Sequence, residues 1–79
     1  MTGAEFREIR ERLRLNQTDL AWLMGTIQTT VSRWEGQEYV PTSAAAFMRV
    51  LDAVSEMGIS ALMLISKLGG EPREKYSRR

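Results

Sequence analysis

The chemistry open to this chain is bounded first by two absences. Its 79 residues include no cysteine and no histidine, which removes disulfides, Cys/His zinc sites and the Ser-His and Cys-His nucleophile pairs together. There is no glycine-rich phosphate loop and no paired carboxylate site, so no reaction suggests itself; an enzyme is not expected, nor is a cofactor or a metal. What remains is a spacing: Gln17, Ala21, Gly25 and Val31. Two helices that cross steeply within about 20 residues must touch, so the residue facing the crossing has to be small, and Ala21 is. The tight turn needs a residue tolerant of positive φ, which Gly25 supplies. Val31 then anchors the second helix, leaving its other face outward.

The elements that must position this pair can be read on either side of it. Thr2 with Glu5 has the spacing of a capping box, and Phe6, Ile9 and Leu13 repeat at helical period, predicting a first helix over about residues 3–13. Glu8 and Arg12 lie in the favourable order for an ion pair along that helix. Asn16 offers a cap for a second helix over 17–24, with Asp19 near the positive end of its dipole and Leu20, Ala21 and Met24 on one face. Trp22 falls outside that face, where packing against a neighbouring helix is the simplest reading. A third helix is expected over about 28–35, with Val31 and Trp34 inward and Gly36 stopping it. Pro41 and Thr42 announce a fourth helix, Thr42 as its cap, with Phe47, Val50, Leu51 and Val54 as its buried stripe. Gly58 breaks it, and a short fifth helix over about 60–68 carries Leu62, Met63, Ile65 and Leu68. The expected architecture is therefore all-α and compact: a five-helix domain over 1–68 followed by a flexible basic tail over 69–79.

Gln17-Thr18-Asp19-Leu20-Ala21, Gly25, the run from Thr30 to Gly36 and Pro41 together resemble the Cro and lambdoid-repressor (XRE-type) helix-turn-helix regulators. The resemblance covers roughly residues 6–54 and places the helix-turn-helix at about 17–36. It implies a lambda-repressor-like DNA-binding domain whose third helix lies in the major groove. Base contacts then fall to Gln28, Thr29, Ser32 and Arg33: Gln28 suits an adenine edge, Arg33 a guanine, and Thr29 a hydrogen bond or a thymine methyl. Phosphate contacts fall to Gln17 and Thr18 at the start of the second helix, to Gln37 and Tyr39 in the loop, and to Thr42 and Ser43 at the start of the fourth. Arg10 and Glu35 match a structural pair that joins the first helix to the end of the third. Where the family commonly has a Ser or Thr cap before the third helix this chain has Ile27, so the cap is expected to shift to Thr26 and the helix to start one residue early.

Formal net charge is +1, and residues 17–36 set Arg33 against Asp19 and Glu35. One copy should therefore bind DNA weakly, and a homodimer on a palindromic operator would supply the missing affinity. The resemblance puts the two-fold interface at the C-terminal helix, with Met57, Ile59, Leu62, Met63 and Ile65 as its candidates. The leading expectation is a homodimeric, autoregulating repressor of double-stranded DNA. The alternative is a protein-interaction module, such as an antitoxin neutralising a toxin partner through Trp22 and the fifth helix. No segment suits a membrane or a signal peptide, so a cytoplasmic address is expected.

Overall fold

The computed structural model describes residues 1–69; the expected tail lies, from residue 70 on, outside the described residues. These form five helices: α1 (Gly3–Arg12), α2 (Gln17–Met24), α3 (Gln28–Glu35), α4 (Thr42–Glu56) and α5 (Ala61–Lys67). No strand occurs among the described residues, and none of their helices is long and apolar enough to cross a membrane. The α2–α3 contact is the most extensive; α1 packs on both α3 and α4, and α4 on α5.

Local sequence sets most helix ends. The Thr2 hydroxyl accepts from the Glu5 N–H at 3.0 Å while the Glu5 carboxylate accepts from the Thr2 N–H at 2.8 Å, completing the capping box. The bond from the Thr2 backbone, helped by the hydroxyl, holds the Glu5 carboxyl below its ordinary pKa. Asn16 caps α2 by accepting from the Asp19 N–H at 2.7 Å. At the far end of α2, Gly25 takes φ 74°; its N–H reaches the Trp22 carbonyl at 3.2 Å and the Thr26 N–H reaches that of Ala21 at 2.9 Å. This pair of bonds satisfies carbonyls that a helix end otherwise leaves open. The same arrangement closes α4 at Gly58, φ 92°, and α1 at Arg14, φ 63°.

Phe6, Leu20, Val31 and Met48 are fully buried at the centre, each from a different helix among α1 to α4. The core reaches α5 through Ala61 and Ile65. Burial of side chains from every element is what stabilises helices this short, since none would persist alone in water.

α3 ends at Gly36 as expected, through a residue at φ −92°. Three expectations need correcting. Thr42 is the first residue of α4 rather than its cap; Pro41 holds that position, and no side chain caps the helix. The buried face of α4 is Ala44, Ala45, Met48 and Leu51, while Phe47 and Val54 flank it and Val50 is 63% exposed. The two alanines let α4 come close to its neighbours, and their small side chains give too weak an apolar signal to mark that face in the sequence. Arg12 pairs across to Asp52 on α4 at 2.8 Å, not along its own helix to Glu8.

Candidate nucleic-acid interface

The turn between α2 and α3 is three residues, 25–27. Ala21 is 3% exposed and Val31 fully buried, as the steric argument for the pair requires. On the other side of Val31, Trp34 is half-buried and meets Phe6 edge-on, ring centroids 6.0 Å apart at 82°. With that stripe turned inward, Gln28, Thr29, Ser32 and Arg33 all lie on the exposed side of α3. The helix presents an amide, two hydroxyls and a guanidinium to solvent in one and a half turns, which is the donor and acceptor equipment that reads base edges.

The start of α3 differs from expectation. Its cap is Ile27, not Thr26; the helix does not begin early, and no side chain accepts from its first N–H groups. Ile27 is itself 66% exposed.

Behind the exposed face runs a chain of polar bonds that links three helices. Arg10 grips Glu35 with two donors, Nε to Oε2 at 2.5 Å and Nη2 to Oε1 at 3.3 Å, and gives Nη1 to the Leu15 carbonyl at 2.8 Å. The Gln17 amide nitrogen donates to Glu35 Oε1 at 2.9 Å. Gln28 in turn donates from Nε2 to the Gln17 carbonyl oxygen. Arg10 and Glu35 thus form the structural pair expected of them, side chains 10% and 6% exposed, and no buried polar side-chain atom among the described residues lacks a partner. Gln17 has a role its sequence position did not disclose: both ends of its amide are engaged, so it orients Gln28 from α2.

Glycine at position 3 is the second feature the sequence reading missed. A Cβ there would fall 2.5 Å from the Gln37 and Trp34 carbonyl oxygens and 2.8 Å from that of Glu35. The Gly3 N–H donates to the Gln37 carbonyl at 3.1 Å and the Val40 N–H to that of Met1 at 3.1 Å. The positive end of α1 therefore sits against the negative end of α3, a favourable dipole contact that only a residue without a side chain permits. A glycine in the first turn of a capped helix was the available signal.

Within residues 17–36 the exposed charge differs from the residue count, while Glu38 in the loop that follows is exposed. Asp19 is 2% exposed and the Glu35 carboxylate is held inward by Arg10, whereas Arg33 is open to solvent. Both acids that offset Arg33 in the count have left the exposed face.

The remaining candidates are distributed as follows. Thr18 is half-buried, and Gln37, Tyr39, Thr42 and Ser43 are exposed on the segment leading into and opening α4. Trp22 is half-buried against the core, in line with the simplest reading of it. At the other end, Met57, Ile59, Leu62 and Met63 are exposed, by 77, 39, 39 and 51%, with Leu68 beside them in sequence at 65%. Ile65 does not belong to that set: it is 5% exposed and packs into the core, because α5 turns Ala61 and Ile65 inward at a four-residue spacing.

Comparison of the chain with protein-family models, with curated proteins and with solved structures returns no match in any of the three.

Proposed function

We propose that this protein is a sequence-specific DNA-binding regulator of the Cro and lambdoid-repressor type, acting as a homodimeric repressor on a palindromic operator with α3 in the major groove. The observation that carries the reading is the exposed row Gln28, Thr29, Ser32 and Arg33 on a helix fixed from behind by Val31, Trp34 and the Arg10–Glu35–Gln17 bonds. Base readout asks for side chains of these types held in fixed orientation, since a misplaced bidentate donor loses its discrimination. Binding excludes polymerase and needs neither cofactor nor catalytic group.

The second copy is drawn to the α4–α5 end, where Met57, Ile59, Leu62 and Met63 stand exposed. That same apolar end also favours a second reading, in which it receives a different protein, as an antitoxin does.

Selection of duplexes from a random pool with the full chain tests the proposal. A palindromic consensus is expected, with Arg33→Ala relaxing one base position at a cost of about 1–3 kcal/mol. Retention of the wild-type preference at every position by that variant, or recovery of no consensus at all, would count against it.

A further inference from the structure

The residue that leads α3 breaks a local rule without a compensating contact in the folded chain. Ile27 occupies the N-cap in extended conformation, φ −113° and ψ 157°, where Ser, Thr, Asp or Asn would accept from the helix's first N–H groups. Asn16 and Ser60 do this for α2 and α5. Ile27 gives the cap up, and its side chain is not buried in exchange, being 66% exposed. A branched apolar group in water next to the exposed Gln28 and Thr29 contributes little to stability. Sites that break such rules are where function is to be sought.

The other large exposed apolar side chains lie from Tyr39 onward, on the approach to α4, on α4 and α5, and at the residues that join and follow them. Ile27 is therefore an apolar group set in sequence among polar readers rather than part of an apolar run. In a major groove one feature of the base edges matches such a group: the C5-methyl of thymine, the only apolar substituent displayed there.

We infer that Ile27 is a specificity-determining residue that selects thymine over other bases at one position of each half-site by covering its C5-methyl. This rests on the DNA-binding reading and deepens it. The contact is worth one buried methyl, which makes its loss on the order of fourfold in affinity.

Deoxyuridine differs from thymidine only in lacking that methyl, so it isolates the contact. The full chain first selects a consensus from random duplexes; each thymine of that consensus is then replaced in turn by deoxyuridine. Wild-type protein is expected to lose about fourfold at each thymine of one symmetry-related pair when they are replaced singly. Ile27→Val should keep the discrimination, and Ile27→Ser should abolish it at that position alone while melting at or above the wild-type temperature, because serine restores the missing cap. Equal affinity for thymine and deoxyuridine at every position, or a preference that Ile27→Ser retains, overturns the inference and leaves DNA binding standing. Failure to enrich any sequence overturns both.

Discussion

The α1–α3 junction and the α4–α5 end are built on opposite principles. At the junction, polar groups are buried and every one is matched: Arg10, Glu35 and Gln17 bond one another, and the Gly3 backbone seats on the carbonyls that end α3. At the α4–α5 end the polar network is absent from the described contacts, and apolar side chains such as Met57 and Met63 face solvent. One region fixes geometry, because directional bonds at low solvent exposure tolerate few arrangements. The other leaves a non-directional surface, suited to covering by a second copy. The orientation of α3 thus depends on the first region; under the proposed function, the number of such helices engaged at once would depend on the second.

That contrast orders the expected effects of substitution. The largest should come from Glu35→Ala, which leaves the buried Arg10 guanidinium without its partner and frees Gln17 and Gln28; a loss of roughly 3–5 kcal/mol is expected in denaturant unfolding. Glu35→Gln keeps the shape and one acceptor, so a variant as damaging as alanine would mean that charge, not geometry, holds the junction. Gly3→Ala follows at about 3 kcal/mol, since its Cβ must displace three backbone oxygens rather than a flexible side chain. A melting temperature within a degree or two of wild type would show that α1 moves aside at little cost.

Smaller and opposite in sign is Arg14→Gly. Arg14 holds a left-handed conformation that costs an ordinary residue about 1–2 kcal/mol, so glycine should raise stability by up to about 1 kcal/mol, less its own greater freedom when unfolded. The least change in monomer stability is expected from Met63→Glu, within about 0.5 kcal/mol for an exposed site. Its effect should appear instead in sedimentation as loss of the dimer and in DNA titration as weaker operator binding. A dimer that survives both Met63→Glu and Met57→Glu would place the two-fold contact elsewhere.

Local rules were legible in the sequence wherever the signal lies within a few residues. The Thr2 and Asn16 caps, the left-handed turn at Gly25 and the inward Val31 follow from spacing alone, because each is decided by one helical turn of chain. Reading failed where a distant partner intervenes. Thr26 is not the cap of α3, because the first carbonyl of that helix to accept is that of Ile27, from the Thr30 and Val31 N–H groups. The α4 stripe was right at Leu51 and close at Phe47, which packs beside the core, but it included the exposed Val50 and missed the buried Ala44, Ala45 and Met48. Ile65 was assigned outward because the phase of a seven-residue helix is set by what it packs on, not by its own composition.

For the candidate interface, sequence by itself determined the side chains available on α3 and the steric logic of the turn before it. Only the tertiary structure decided that Gln17 would orient Gln28, that Gly3 would have to be glycine, and that Asp19 and Glu35 would be drawn off the exposed face to leave Arg33 as the exposed charge of residues 17–36. The physical reason is range. Caps and turns are satisfied within a few residues of chain, but a buried charge must find its partner wherever folding brings one, and Arg10 meets Glu35 across 25 residues of sequence.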